Sequence, residues 1–217
     1  LGTRLRPITN NIPKCLVPIN GRPLLDFWIE SLVNSGVKEI LINTHYMHDK
    51  VLEYTNSCKY KKFIKISYED KLLGTAGSLL RNRSFFGDKG GLFIHADNFC
   101  LSNLKRFYQG HFNRPNNCLV TMMTFISENP KSCGIVEVDE KNILIDFHEK
   151  VKQPPGNLAN GAIYFLSKSF IKNIGNIGNL NDFSNDVIPK YFGKIYTYPA
   201  DGLLLDIGSM EAYKKIN

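Results

Sequence analysis

The sequence predicts an α/β fold: a doubly wound mixed sheet, mainly parallel, with a small β lid over the far side of its site. Three observations carry that expectation. Strand-like and helix-like segments alternate over the first hundred residues, a run of strand-like segments follows from Cys118, and 43% of the 217 residues are hydrophobic, enough to bury a sizeable core.

Pro23 presets the backbone for a helix start, and Leu24, Leu25, Trp28, Ile29, Leu32 and Val33 recur at helical spacing until Gly36 ends the pattern. A strand at 39–43, a helix at 48–56, a strand at 63–68 and a helix at 75–82 follow. The short apolar run at 92–96 is of the kind buried in a parallel sheet. CLVTMMTF (118–125), GIVEV, ILIDFHEK and GAIYFLS then change the rhythm, with Asp139–Asn142 as a hairpin turn. Residues 183–192 read as a helix capped by Asp182 or Ser184. Strands near 194–198 and 203–206 precede a closing helix capped by Ser209. The alternation is Rossmann-like, and ligands of such sheets sit at the carboxyl ends of strands.

Composition narrows the function classes. No apolar run reaches the roughly 18 residues that a transmembrane helix needs, and no signal peptide is visible, so no membrane partner is expected. The five cysteines are odd in number, scattered and without a C-x-x-C pair, which disfavours a disulfide framework or zinc site and suggests a reducing cytoplasm. The net charge of +7 suits nucleic acid, a membrane surface or a substrate rich in phosphate. Lys59, Lys61, Lys62 and Lys65 read as a solvated strand edge, and no RNA-binding or helix-turn-helix pattern accompanies them, so no nucleic-acid partner is expected.

The opening stretch, LGTRLRPITNNIPKCL, concentrates the chemistry. Gly2 lacks a Cβ and lets its backbone approach an anion, Thr3 adds a hydroxyl, and Arg4 and Lys14 supply fixed positive charge. Pro7 and Pro13 disfavour helix before them and keep the stretch an extended loop. It is neither a Walker loop nor a dinucleotide fingerprint. GTRLRPIT followed by PKCLVPINGRPLL resembles the nucleotide-binding signature of sugar-1-phosphate nucleotidyltransferases, also called nucleotide-sugar pyrophosphorylases. The likeness runs in motif order over nearly the whole chain and leans, by overall character, towards mannose-1-phosphate guanylyltransferase-like members. It implies one nucleotidyltransferase domain over 1–217, nucleotide-binding to about residue 115 and sugar-binding, lid included, from about 116. The family signature begins with an apolar strand and a further glycine turn, so a strand ahead of Leu1 is also expected.

Further motifs gain meaning beside that resemblance. Leu73, Gly74 and Thr75 open an LGTAG segment that in the family packs against the nucleobase through its backbone; Thr75 also reads as a plain helix N-cap. Asp97 and Asp206 each follow an apolar run. The resemblance implies that they hold Mg²⁺ against the α-phosphate, and magnesium commonly takes one or two carboxylates with phosphate and water. His95-Ala96-Asp97-Asn98 stands where many members show Gly-Asp, which changes the neighbour beside the ribose. Glu149 and Lys150 would point to opposite faces of a regular strand, so both serve one site only where that strand ends. The plain reading is a surface ion pair of little worth. The resemblance instead gives Glu149 and Asn160, with Gly161 in the same turn, to the sugar hydroxyls and Lys150 to the sugar phosphate. His45, His48, His95, His111 and His148 follow no metal spacing, and Cys15 beside Lys14 reads as a small apolar filler rather than a nucleophile.

The resemblance therefore implies transfer of a nucleoside monophosphate from a triphosphate to a sugar 1-phosphate, with Arg4, Lys14 and Asp97 as the catalytic groups and Gly2, Thr3, Leu73, Gly74 and Thr75 at the nucleotide. A nucleotide-sugar-dependent glycosyltransferase is one rival, but should lack the arginine-lysine loop. A non-catalytic sugar-nucleotide binder is another and would show no pyrophosphate exchange. A nucleic-acid binder would show salt-sensitive oligonucleotide binding. Base, sugar and oligomeric state, a homodimer being one option, stay open in the sequence.

Overall fold

The protein, seen in a computed structural model, is described at residues 2–178 and 180–217. Leu1, with which the opening stretch begins, and Asn179 lie outside the described residues. The chain forms two compact units that interleave in sequence. The first holds the segment ending at Leu72 with His95–Leu104 and Gly202–Asn217; the second holds Leu73–Ile94 and Lys105–Asp201.

Instead of an extended loop, the opening stretch makes three separate 3-10 turns, at Thr3–Leu5, Ile8–Asn10 and Lys14–Leu16. Pro7 and Pro13 cannot continue a helix, yet their carbonyls accept from Asn10 N–H at 3.0 Å and Leu16 N–H at 2.8 Å, so each proline starts a tight turn. β1 (Pro18–Ile19) and β2 (Arg22–Pro23) form a short hairpin across Asn20 and Gly21, both at positive φ as a primed turn requires. α1 (Leu24–Asn34) buries Leu24, Leu25, Trp28, Ile29 and Leu32, the expected stripe, and Gly36 follows its end at φ 91. β3 (Ile40–Thr44), α2 (His48–Ser57) and β4 (Ile64–Tyr68) form a crossover unit in which β3 and β4 pair in parallel. Lys61, Lys62 and Lys65 are exposed beside β4, and Lys59 and Lys65 pair with Glu30 and Glu39, as a solvated edge should.

α3 (Gly74–Arg81) and β5 (Gly91–Ile94) come next, then β6 (Asn98–Cys100) and α4 (Leu104–Phe112). The strand-rich part comprises β7 (Val120–Ile126), β8 (Gly134–Val138), β9 (Leu144–Glu149) and β10 (Leu158–Leu166). α5 (Lys168–Asn173), β11 (Ile195–Pro199), β12 (Leu204–Asp206) and α6 (Met210–Lys214) end the chain. Ser209 caps α6 by accepting from Ala212 N–H, as expected. The segment 183–192 is not one α-helix but a π turn, Phe183–Val187, followed by a 3-10 turn, Ile188–Tyr191. Pro189 has no N–H to give an α-helix, and Asp182 provides the expected cap. α4, α5, β6 and the β1–β2 hairpin are not among the elements expected from the sequence.

In the first unit β6 pairs antiparallel with β12, Asn98 opposite Asp206 and Cys100 opposite Leu204. Leu5, Ile19, Leu24, Phe99 and Ile207 pack as its core beside that pair, and Trp28 Nε1 donates to Asn98 O at 2.7 Å. In the second unit one six-stranded sheet contains β5 and β7 to β11. β7 and β11 run parallel, whereas β5–β10, β7–β10, β8–β10 and β8–β9 are antiparallel. The segment at 92–96 is thus shorter than expected and lies antiparallel to β10 rather than in a parallel ladder. The links between β8, β9 and β10 are too short for the long crossover that parallel neighbours need, which fixes the direction of these strands. The α/β class stands. Among the described residues no helix is long and apolar enough to cross a membrane.

His111 on α4 gives a pH test of this packing. Its ring lies 4.1 Å from that of Phe165 and its Nδ1 is 2.8 Å from Thr121 Oγ1. Burial, helped by the charge of Arg114, pushes its pKa down to about 3. The unfolded chain therefore takes up this proton near the ordinary histidine value while the folded chain does not, and stability is lost as pH falls from about 6.5 towards 3, at roughly 1.4 kcal/mol per pH unit. Urea unfolding at pH 7 and pH 5 is expected to show a drop about 2 kcal/mol smaller in His111→Asn than in the parent protein. Equal drops would remove His111 as the cause.

Candidate active site

The β6–β12 ladder places Asp97, one residue before Asn98, beside Asp206 at the same end of the pair. Lys14 reaches both carboxylates: its Nζ is 2.8 Å from Asp97 Oδ2 and 3.5 Å from Asp206 Oδ1. The third 3-10 turn, at Lys14–Leu16, presents it there, and its side chain is mostly covered while Asp97 stays half exposed. Gly2 sits at φ 65 ahead of the first turn, where a Cβ would come within 3.2 Å of both Lys14 Cβ and Thr9 Cγ2. Its carbonyl accepts from Thr9 Oγ1 at 2.6 Å and from Leu5 N–H at 3.0 Å, which folds the loop back on Lys14. Arg4 converges as well. A Cβ on Gly208 would stand 2.8 Å from Asp206 Oδ2 and 2.9 Å from Arg4 Nη2, so both groups meet over that glycine. Thr3 is exposed at the start of the first turn. Burial tends to raise the Asp97 pKa, yet the charge and hydrogen bond of Lys14, with His95, hold it below the ordinary carboxylate value.

The second unit carries the other motifs. Gly74 opens α3 at φ 75 after Leu73, and Thr75 is inside the helix rather than its N-cap. The Thr75 hydroxyl accepts from Phe183 N–H at 2.7 Å and donates to Asp182 Oδ2 at 3.3 Å, so its side chain is used by the protein itself. β9 ends at Glu149, and Lys150 follows at φ 50 with its Nζ 2.6 Å from Glu149 Oε1. The left-handed residue brings acid and base to one side, the condition set by strand alternation. β10 is irregular between Asn160 and Tyr164, where Ala162 has φ 53. This bulge lies where β10 changes its neighbour from β8, at Ala159–Ile135, to β5, at Ile163–Ile94. Asn160 Oδ1 accepts from Ala162 N–H at 2.9 Å and its Nδ2 donates to Tyr164 Oη at 2.7 Å, fixing the amide; Gly161 lies within the bulge. Gly134 of β8 pairs with Glu149 and is one step from the Ala159–Ile135 pair, so Glu149 and Asn160 stand on either side of it.

Comparison with known proteins gives the family. The model of the family described as "Nucleotidyl transferase" matches residues 1–217. The chain belongs to the nucleotidyl transferase family. It is 31% identical over 219 residues to a provisionally named mannose-1-phosphate guanyltransferase of Sulfolobus acidocaldarius, covering 99% of this chain and 59% of that one. It is also 31% identical over 220 residues to the D-glycero-alpha-D-manno-heptose 1-phosphate guanylyltransferase of Campylobacter jejuni, covering 98% of this chain and 93% of that one. Among solved structures, HddC from Yersinia pseudotuberculosis superposes with a TM-score of 0.84 at 25% identity, over 100% of this chain and 93% of that one; a second structure of HddC holds GMP-PN, with a TM-score of 0.83. The chain thus spans little more than half of the first relative and nearly all of the second.

In this nucleotidyl transferase the first unit gathers Gly2, Arg4, Lys14, Asp97 and Asp206, and the second gathers Glu149, Lys150 and Asn160. Leu73, Gly74 and Thr75 belong to the second unit too. Two hard carboxylates within reach of one amine, with solvent access, are a donor set that fits Mg²⁺. Burial, reinforced by the nearby Asp97, pushes the Cys15 thiol up to about 12, which disfavours the thiolate that a nucleophile needs. His148 contacts Glu137 at 2.6 Å and Asp146 at 3.6 Å rather than Glu149. Gly134 and Gly208, which lie beside the candidate residues, were not singled out from the sequence. Only Gly208 left a trace, as the glycine after Asp206-Ile207.

Proposed function

We propose that this nucleotidyl transferase moves a guanylyl group from GTP to the phosphate of a mannose- or heptose-type sugar 1-phosphate, releasing pyrophosphate, in the cytoplasm. The observation that carries this reading is the convergence of Lys14 and Arg4 on the Asp97–Asp206 pair. The guanylyl choice is supported by the C. jejuni relative's name and the GMP-PN complex of HddC.

A sugar-phosphate oxygen attacks the α-phosphorus, the bond from that phosphorus to the β-bridging oxygen breaks, and the electron pair leaves with pyrophosphate. No covalent enzyme intermediate is needed. Bringing two polyanions together makes charge neutralisation and orientation the protein's main work. Arg4 and Lys14 neutralise the triphosphate and the leaving group. Asp97 and Asp206 would hold Mg²⁺, which when bound offsets charge on the α-phosphate. Glu149 and Asn160 accept and donate to sugar hydroxyls, and Lys150 holds the sugar phosphate.

A panel of the four nucleoside triphosphates against mannose, heptose and glucose 1-phosphates, followed by pyrophosphate release, tests the whole reading. GTP with a manno-configured acceptor is expected to turn over fastest; no release with any pair would end it. Within the panel, Lys150→Ala is expected to raise KM for the sugar phosphate by about tenfold or more through loss of one charge-assisted contact. An unchanged KM would detach Lys150 from the acceptor.

A further inference from the structure

The Leu73–Gly77 turn does not hold its own shape. α3 begins with no side-chain cap, and its first turn is instead tied to the segment Asn181–Asp186 of the same unit. Ala76 N–H donates to Asn181 O at 2.9 Å. The side of Gly74 that a Cβ would occupy is filled by Asn181, whose Oδ1 and backbone O would lie 2.1 and 2.3 Å from it. Asp182 completes the tie. One of its oxygens, Oδ2, accepts from the Thr75 hydroxyl; the other, Oδ1, accepts from Asn185 N–H at 2.9 Å and Asn185 Nδ2 at 3.0 Å. The Thr75 hydroxyl accepts in turn from Phe183 N–H. From behind, Asp186 Oδ2 takes the N–H groups of Asn181 and Asp182, both at 2.8 Å, and those bonds hold its own carboxyl below the ordinary range.

We propose that Asp182 is a positioning residue for the nucleotide: through Thr75 it sets the pose of the Leu73–Gly77 backbone against which the nucleobase lies. The inference rests on the reading of that turn as a nucleotide contact. With its hydroxyl donating to Asp182 and accepting from Phe183, Thr75 contributes to the nucleotide through its backbone. Both oxygens of the Asp182 carboxylate are engaged, one anchoring the 183–187 turn and one anchoring α3, so a shorter or apolar side chain loses this carboxylate bridge while the Phe183–Thr75 and Ala76–Asn181 bonds remain.

Steady-state kinetics on the full chain test this, with GTP or the triphosphate that the panel selects. Asp182→Ala and Thr75→Val are each expected to raise KM for the nucleotide about tenfold, the size of one hydrogen bond to a charged group. Turnover at saturating nucleotide and KM for the sugar 1-phosphate should stay within about twofold, which a general loss of structure would not allow. Thr75→Val keeps the Asp182 cap intact, so it stands if the alanine variant folds poorly. The double variant should cost less than the sum of the two single ones, because both break the Thr75–Asp182 bond, and Thr75→Ser should restore the parent KM. A nucleotide KM within twofold of the parent in both single variants, or an equal rise in the sugar-phosphate KM, overturns the proposal. Leu73→Asp separates the two ideas. If it alone raises the nucleotide KM, the turn is the nucleotide's and Asp182 does not position it. If all three leave the KM unchanged, the reading of the turn itself fails.

Discussion

Asp97→Asn is expected to lower kcat by about a thousandfold while leaving the unfolding midpoint within a few degrees of the parent, the range seen when a preorganised charge is removed from a reaction centre. Asp97 is half exposed and its loss opens no cavity, so the cost falls on charge rather than packing. The amide keeps the shape and an acceptor oxygen but loses the negative charge that binds Lys14 at 2.8 Å and that would bind a divalent cation. Lys14→Ala should be comparably slow for a different reason: the site loses the mostly covered amine proposed to meet the triphosphate, and Asp97 loses the charge that holds its pKa down. Addition of a chelator should bring the parent protein to the level of Asp97→Asn, and Mg²⁺ should restore the parent but not the variant. Pyrophosphate release and urea unfolding measured on the same preparations check both halves. Near-parental turnover in either variant removes that residue from its role.

Gly74→Ala carries the largest expected effect on stability. The new methyl would stand 2.3 Å from Asn181 O, a backbone atom that cannot swing aside, and at φ 75 a side chain is strained even in open space. Left-handed backbone costs a non-glycine residue about 1–2 kcal/mol, overpacking adds about 1–3, and the Ala76–Asn181 hydrogen bond, worth about 1, is lost if the segments part. A loss of about 3–6 kcal/mol is expected, a drop of roughly 10–20 °C in Tm for a chain of this size. Because the same contact shapes the turn proposed to meet the nucleotide, the nucleotide KM should rise in whatever fraction stays folded. An unchanged Tm would show that Asn181 moves away at little cost, and the tie between α3 and that segment would then have to be abandoned.

The fold was legible where pattern is local. The helical spacing of Leu24, Leu25, Trp28, Ile29 and Leu32, the β-rich runs after Cys118, the cap at Ser209 and, as one of two candidates beside Ser184, the cap at Asp182 follow from side-chain periodicity and from orphan backbone groups that only nearby residues can satisfy. β6 was not legible, for three residues carry no periodicity, and they pair only because Leu204–Asp206 arrives from a hundred residues away. The direction of β5 was likewise hidden, since an apolar run reads the same beside a parallel or an antiparallel neighbour.

By itself the sequence singled out candidates: Arg4, Lys14, Asp97, Asp206, Glu149, Lys150 and Asn160 stand out by type and by the likeness of their motifs, and charge and hydrogen-bonding capacity belong to the side chain wherever it lies. Only the tertiary structure decided how they are held. The β6–β12 register sets Asp97 beside Asp206, the left-handed turn at Lys150 brings it round to Glu149, and the space beside Gly74 goes to Asn181. Those outcomes depend on which distant backbones share one small volume, and sterics between segments far apart in the chain leave no trace in local spacing.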